Sequence, residues 1–132
     1  MITYQFGAKI KAEELANLFV GTSWADGRTP EKITVLLRNT PLHVSAWYGE
    51  QMVGFLRAMT DEVYRAVLDD LVVDEKFRGQ EIGETMMNQM MERLRNVEEV
   101  SLDCEEELVP YYKKFGFLSD QFHCLRVWRR KK

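Results

Sequence analysis

The segment from Leu68 to Leu94 constrains the fold more than any other part of the chain. Its first part, residues 68–73, ends in the apolar run Leu71-Val72-Val73, which is typical of a buried strand. Its last part has apolar residues at helical spacing. A short loop with glycines at positions 79 and 83 joins the two parts. The first turn of a helix after such a loop has unpaired N–H groups and the positive end of the helix dipole. The segment therefore predicts a site for an anion such as a phosphate.

The loop has the sequence Arg78-Gly79-Gln80-Glu81-Ile82-Gly83. It resembles motif A of the GNAT superfamily of N-acetyltransferases, in which a strand ending in Val leads into Arg-x-x-Gly-x-Gly/Ala. Glu81 stands where the first motif glycine is expected. A second segment, 109–117, resembles motif B of the same family, because the pair Tyr111-Tyr112 is followed four residues later by Gly116-Phe117. Two motifs in the expected order and spacing are far more specific than one.

The resemblance implies an α+β fold in a single domain over residues 1–132, with a mixed, mostly antiparallel sheet of about six to seven strands and about four helices. The residue patterns give the same order of elements, because segments of strand and helix periodicity alternate as β-α-α-β-β-β-α-β-α-β-β. In the family, strands four and five run parallel and splay apart. Coenzyme A binds in the gap between them.

Local signals predict where each element begins and ends. Alternating or continuous apolar residues predict strands at 2–6, 43–48, 52–59, 63–73, 100–103, 117–118 and 122–128. Apolar residues at steps of three and four predict helices at 11–20, 30–39, 82–97 and 105–115. Thr29 as a cap and Pro30 at the first helical position mark the start of the second helix. The aperiodic loop between the first two helices is expected to cover a cleft.

Charge and composition disfavour several classes of function. The net charge is only −3 and charges of both signs are mixed, which argues against a nucleic-acid-binding protein. No apolar run reaches the roughly 20 residues that cross a bilayer, and no secretory pattern opens the chain, so no membrane partner is expected. Cys104 and Cys124 match neither a zinc site nor a redox pair, which favours reduced thiols in a cytoplasmic protein without a metal. One local basic cluster is either a solvated end or a contact to a coenzyme phosphate: Arg126, Arg129, Arg130, Lys131 and Lys132.

Asp69 and Asp70 are the candidates for the general base of an acetyl transfer, because that reaction must remove a proton from the incoming ammonium. Side chains alternate along a regular strand, so Asp69 shares a face with Val73, and only one carboxylate should face the cleft unless a bulge intervenes. Asp69 is therefore the first choice, acting directly or through a water, and Asp70 is the second. The alternative is that one of them pairs with Arg57 or Arg65 while the other is solvated.

The resemblance assigns roles to the other motif residues. Tyr112 matches the family tyrosine that protonates or hydrogen-bonds the departing sulfur, and a phenol pKa of about 10 suits a donor at neutral pH. Acetyl-coenzyme A is the implied acyl donor, its acetyl carbonyl and pantetheine arm held by amides near Leu71 and Val73. Glu81 adds bulk and a repulsion from phosphate on the order of 1 kcal/mol when solvated. The residues expected to contact the coenzyme are Leu71, Val72, Val73, Arg78, Gly79, Gln80, Glu81, Ile82, Gly83 and Glu84.

The acceptor pocket is expected to involve residues of the loop after the first helix and others nearby in the chain: Trp24, Arg28, His43 and Trp47. For Trp24 and His43 the alternative is an ordinary packing role. Arg57 is a single charge in an apolar run, so it is expected to pair with a carboxylate such as Asp61.

Two functions follow from these observations. The resemblance implies an acetyl-coenzyme A-dependent N-acetyltransferase that acetylates a primary amine of a small molecule or a protein by direct attack on the thioester, and it allows a homodimer. Glu81 motivates the alternative, a degenerate member that binds an acyl-coenzyme A weakly or not at all and acts as a sensor or partner module. A nucleotide-binding P-loop is set aside because Gly83 is followed by Glu84-Thr85 rather than Lys-Ser/Thr.

Overall fold

The computed structural model describes residues 1–129 and contains one five-stranded sheet whose spatial order follows the chain. The strands are β1 (Ile2–Phe6), β2 (His43–Tyr48), β3 (Gln51–Thr60), β4 (Arg65–Val73) and β5 (Glu99–Ser101). Neighbours are antiparallel except β4 and β5, which are parallel. The helices are α1 (Ala12–Phe19), α2 (Pro30–Asn39), α3 (Ile82–Arg93) and α4 (Val109–Lys113), with 3₁₀ turns at Glu75–Phe77 and Glu106–Leu108. The predicted α+β class and mixed, mostly antiparallel sheet are confirmed.

The sheet has fewer strands than predicted, because segments 117–118 and 122–128 are not strands. Leu118 is 84% exposed and Leu125 is 91% exposed, so the alternating pattern that predicted strands meets no partner within the described chain. Arg126 of the basic cluster forms an ion pair with Asp103 at the surface. Three members of that cluster lie outside the described residues: Arg130, Lys131 and Lys132.

Two helices are shorter than the sequence predicted. α3 ends at Arg93 rather than at position 97, because a turn in which the Val97 N–H bonds to the Leu94 carbonyl at 2.9 Å returns the chain to β5. α4 follows a 3₁₀ turn instead of starting at position 105. Pro110 explains the break, since it lacks the N–H that a continuous helix needs there.

An apolar core covers each face of the sheet. α3 packs buried methionines on one face, and α1 and α2 pack Leu15, Phe19 and Ile33 on the other. The contact between α3 and β3 is close, because a Cβ at Gly54 would lie 2.9 Å from Met86 Cε. Gly54 therefore marks a close approach between helix and sheet.

β4 contains a bulge at Asp70. Val72 lies opposite Phe55 and Asp69 lies opposite Arg57. The segment of β4 between these two pairs is therefore one residue longer than the facing segment of β3. Asp70 has a left-handed backbone with φ of 58°. Both carboxylates consequently reach the same guanidinium, that of Arg57.

This bulge overturns the expectation that Asp69 shares a face with Val73 and that a regular strand separates the two carboxylates. Val73 packs with the α3 core, as does Leu68, whereas Val72 packs with the core under α1 and α2. The extra residue between Leu68 and Val73 reverses the alternation and groups the two aspartates.

β4 and β5 are paired only from Arg65 with Glu99 to Val67 with Ser101. Beyond Val67 the two strands part, and within the described chain the edge of β4 over residues 68–73 has no strand partner on this side. The parting leaves room for a cleft at the carboxyl end of β4, beside the loop that leads into α3.

Candidate active site

A cleft of about 450 Å³ opens where β4 and β5 part. Its wall consists of the end of β4, the loop into α3 with the first turn of that helix, the region of α4, and the loop between α1 and α2. The lining residues are Leu71, Val72, Val73, Phe77, Arg78, Gly79, Glu81, Ile82, Gly83, Glu84, Leu108, Tyr111, Tyr112, Gly21, Thr22 and Trp24. The cleft thus combines backbone N–H donors, two phenols and an apolar wall.

The loop between β4 and α3 keeps its backbone donors free. Within residues 1–129 the N–H groups of residues 79–83 donate no hydrogen bond, whereas the Thr85 N–H bonds to the Glu81 carbonyl at 2.9 Å. Arg78 Nε donates to the Val73 carbonyl at 3.4 Å, which keeps this cation at the cleft. Free N–H groups at the start of a 12-residue helix, together with the helix dipole, suit a phosphate.

Glu81 adopts the backbone conformation that a motif glycine would supply. Its φ is 61° and its ψ is 24°, in the left-handed region, and its side chain is exposed. A residue other than glycine in this conformation is destabilised by about 1–2 kcal/mol. The loop therefore has its shape despite Glu81, and the carboxylate adds a negative charge beside the free amides.

Tyr111 and Tyr112 both line the cleft and contact each other edge to face, with ring centroids 5.1 Å apart. Burial raises the pKa of Tyr112 to about 12, with smaller contributions from Tyr111 and Cys104. The Tyr112 hydroxyl is therefore protonated at neutral pH and available as a donor. The Tyr111 hydroxyl lies 3.2 Å from the place where a Cβ on Gly83 would be, so glycine allows it to approach the first turn of α3.

Asp70 lies at the centre of a buried charge cluster. Its Oδ2 accepts hydrogen bonds from Arg57 Nε at 2.6 Å and from Arg28 Nη1 at 2.9 Å, and its Oδ1 accepts one from the Trp24 indole at 3.3 Å. The Asp70 side chain has no exposed surface. Trp24 and Arg28 belong to the loop between α1 and α2, so their hydrogen bonds to Asp70 attach this loop to β4 beside the cleft.

Asp69 is more accessible, with 45% of its side chain exposed. Its Oδ1 accepts the Asp70 backbone N–H at 2.8 Å, and its Oδ2 lies 3.5 Å from Arg57 Nη2. Burial, and then the negative charge of Asp70, raise the pKa of Asp69. A carboxylate with a raised pKa and solvent access has the properties of a general base.

The structure brings most of the predicted coenzyme contacts to the cleft and leaves Gln80 outside its wall, exposed in the loop. Of the predicted acceptor residues, Trp24 lines the cleft and Arg28 contacts Asp70. His43 and Trp47 are not brought to the cleft, since Trp47 packs against the core under α1 and α2 and His43 is buried beside Phe55 of that core.

The surroundings of those two aromatic residues explain their positions. The His43 ring is buried against Phe55 with centroids 5.5 Å apart, and the Trp47 indole donates to Ser45 Oγ at 2.8 Å. Burial lowers the pKa of His43, and within residues 1–129 no group bonds to its Nδ1.

The predicted pair of Arg57 with Asp61 is wrong. Asp61 Oδ1 instead accepts the backbone N–H groups of Val63, Tyr64 and Arg65 in the turn between β3 and β4. The carboxylates that do meet Arg57 are those of the bulge.

Sequence reasoning did not assign five residues of the cleft wall to the site: Gly21, Thr22, Phe77, Leu108 and Tyr111. Thr22 had the clearest signal, because a hydroxyl directly after a helix and a glycine often fixes a turn. Its Oγ1 donates to the Phe19 carbonyl at 2.7 Å and accepts the Ala25 N–H at 3.0 Å.

None of the helices in the described chain has the length and apolar character of a membrane span. Nor do residues 1–129 bring three or more His, Cys, Asp or Glu side chains together in a group that could hold a metal ion.

Known proteins resemble this chain in sequence. Residues 10–117 match the model of the acetyltransferase (GNAT) family. The N-acetyltransferase ycf52 of Pyropia yezoensis, itself uncharacterised, is 30% identical over 117 residues, which cover 84% of this chain and 67% of that protein. The chloroplastic GCN5-related N-acetyltransferase 1 of Arabidopsis thaliana is 28% identical over 115 residues, which cover 84% of this chain and 58% of that protein. The chain thus corresponds to about two thirds or less of these relatives' lengths.

Solved structures resemble it in fold. A protein of unknown function from meticillin-resistant Staphylococcus aureus superimposes with a TM-score of 0.85 at 19% identity, covering 99% of this chain and all 100% of that one. At this identity the likeness shows the fold alone. The family match over residues 10–117 establishes that the chain belongs to the GNAT family of acetyltransferases.

Proposed function

We propose that this protein is an acetyl-coenzyme A-dependent N-acetyltransferase that acetylates a primary amine of a small molecule or a protein. One observation carries the proposal: the same cleft holds the free N–H groups of residues 79 and 81–83 and the protonated phenol of Tyr112. The first feature suits the diphosphate of a coenzyme. The second suits the sulfur that departs in an acyl transfer.

The residues of the cleft are compatible with this acyl donor. Free amides, Arg78 and the start of α3 would hold the diphosphate, and the unpaired edge of β4 offers backbone groups to an extended arm. The donor supplies an acetyl group activated as a thioester. Glu81 weakens phosphate binding by its charge, but its left-handed backbone and exposed side chain support binding over the degenerate alternative.

The chain's own residues would supply the proton transfers. Asp69 accepts a proton from the acceptor ammonium, directly or through a water, and the freed nitrogen lone pair forms the new bond to the thioester carbonyl carbon. The carbon–sulfur bond breaks and the Tyr112 hydroxyl donates its proton to the departing sulfur. The nitrogen, now bonded to the acetyl carbon, loses its second proton to the resulting phenolate, directly or through a water. Backbone N–H groups at the end of β4 would stabilise the charge that develops on the carbonyl oxygen.

The environment supports these roles. The raised pKa of Asp69 makes its carboxylate a stronger base than a solvated aspartate, and the pKa of Tyr112, about 12, keeps that phenol protonated. Asp70 is a positioning residue, since its oxygens are occupied by Arg28, Arg57 and Trp24.

The exposed free thiols Cys104 and Cys124 fit a reducing compartment, and we propose the cytoplasm.

The experiment that tests the proposal measures free thiol released from acetyl-coenzyme A across a panel of primary amines. The natural chain should release thiol with at least one amine, and Asp69→Asn should lower kcat/KM by about 10²-fold or more. The rise of kcat/KM with pH through the raised pKa of Asp69 should disappear in this variant. Calorimetry separates the alternatives: coenzyme binding without turnover with any amine supports a sensor, and no binding at all overturns the acetyltransferase and favours a partner module that binds no coenzyme.

A further inference from the structure

A second depression of about 550 Å³, the α2 groove, lies between α2 and β3 on the face of the sheet opposite α3. Lys32 and Arg57 contribute positive charge to its wall, and Val35, Leu36 and Met59 contribute apolar surface. None of the residues assigned to the coenzyme takes part in this wall.

The aspartate pair links the α2 groove to the cleft. Arg57 lines the groove and donates to both carboxylates, while Trp24 lines the cleft and donates to Asp70. Asp69, the exposed member of the pair, belongs to neither wall but lies 3.5 Å from Nη2 of Arg57 in the groove wall. The groove and the cleft share no lining residue, so a ligand beside Arg57 would lie next to Asp69 without occupying the coenzyme cleft.

The polar wall of the α2 groove favours an anion. Lys32 forms no ion pair within residues 1–129, and no Asp or Glu belongs to the groove wall. Arg57 donates through Nε and Nη2 to the aspartates, which leaves Nη1 available. The charge of Arg57 is already balanced by the two aspartates, so Lys32 supplies the unpaired charge and Arg57 Nη1 a hydrogen-bond donor. Beside an apolar surface, these groups suit a ligand with a carboxylate or phosphate on a short hydrocarbon chain.

We propose that the α2 groove binds the acceptor, and that the acceptor is a primary amine that also carries an anionic group. The anionic group binds Lys32 and Arg57, the hydrocarbon chain packs on Val35, Leu36 and Met59, and the amine faces Asp69. This inference rests on the proposed function, and it excludes simple polyamines as the preferred substrates.

The test compares amines that differ only in a carboxylate: lysine against cadaverine, and ornithine against putrescine. The natural chain should show a kcat/KM at least about tenfold higher for the amino acid of each pair. Lys32→Glu should remove most of this preference. Arg38→Glu is the matched control, because Arg38 is an exposed cation on the same helix that does not line the groove.

Binding of the products keeps the inference testable apart from turnover. Calorimetry should find tighter binding of Nε-acetyllysine than of N-acetylcadaverine, and Lys32→Glu should abolish the difference. Turnover that favours the diamines, or equal effects of Lys32→Glu and Arg38→Glu, would overturn the inference and leave the acetyltransferase proposal standing. Absence of turnover with every amine overturns the proposed function, and product binding that ignores Lys32 then overturns the groove assignment as well.

Discussion

Arg57 Nε donates a hydrogen bond of 2.6 Å to Asp70 Oδ2 at the bulge of β4, where the aspartate side chain is fully buried and the arginine side chain is 12% exposed. Arg28 adds a second cation to the same oxygen. The bulge that turns Asp70 toward these arginines has a left-handed backbone, so the ion pairs stabilise an otherwise unfavourable conformation. The loop that covers the cleft is attached to the sheet through this carboxylate.

We expect Asp70→Asn to lower the free energy of unfolding by about 3–5 kcal/mol, because it leaves two cations without a buried partner. Urea denaturation followed by circular dichroism measures the change. Glu62→Gln is the control, since it breaks the exposed pair with Arg93 and should change stability by less than about 1 kcal/mol. Equal effects of the two substitutions would contradict the structural role of Asp70.

Tyr112→Phe should lower kcat by about 10²–10⁴-fold while leaving the coenzyme KM little changed, because only the proton donor is lost. Since the pKa of Tyr112 is about 12, titration of this phenol should not reduce the rate below about pH 11. Tyr111→Phe removes the neighbouring hydroxyl of the same wall and serves as the control. Steady-state kinetics of thiol release would refute the assignment if both variants lost activity equally.

Glu81→Gly should raise the free energy of unfolding by about 1 kcal/mol, because glycine adopts the left-handed conformation without strain. It should also tighten coenzyme binding, since a negative charge beside the phosphate site is removed. Glu81→Ala removes the charge and keeps the strain, so it should improve binding without improving stability. Calorimetry and thermal unfolding of both variants separate the two effects, and unchanged coenzyme affinity in both would argue against a phosphate at this turn.

The stability of the protein should fall as the pH drops below about 6.5, because burial lowers the pKa of His43 and the unfolded chain takes up the proton first. This loss should continue until the lowered pKa of the folded state is reached. His43→Phe keeps an aromatic ring beside Phe55 and should reduce the dependence. His123→Phe changes an exposed residue and should retain it. Thermal melts between about pH 7.5 and about pH 5.5 provide the measurement.

Local signals were sufficient for much of the fold. Thr29 accepts the Lys32 N–H as a helix cap should, and α2 begins at Pro30 as predicted. The bulge could not be derived this way, because Asp69-Asp70 is compatible with either a regular or a bulged strand. Contacts with Arg57 and Arg28 decide between a regular and a bulged strand, and these residues lie 13 and 42 residues before Asp70 in the chain.

The site was predictable where the chain is contiguous and not where distant segments meet. The loop over residues 78–83 lies within one short segment, so its residues could be named from their order alone. The proposed acceptor groove depends on how α2 lies on β3, which no single segment of the sequence specifies. For His43 the sequence left acceptor contact and ordinary packing both open, and the structure buries it beside Phe55. For segment 122–128 the sequence predicted a strand that the structure does not form, because an alternating pattern becomes a strand only where a neighbour supplies hydrogen bonds.

The short pairing of β4 with β5 also affects how the protein self-associates. An exposed strand edge is a template on which other chains can add, and here it extends over residues 68–73. The extended arm of a bound acyl donor would cover that edge as a neighbouring strand would. Under the proposed function, we therefore expect the protein without its acyl donor to self-associate faster than the donor-saturated protein.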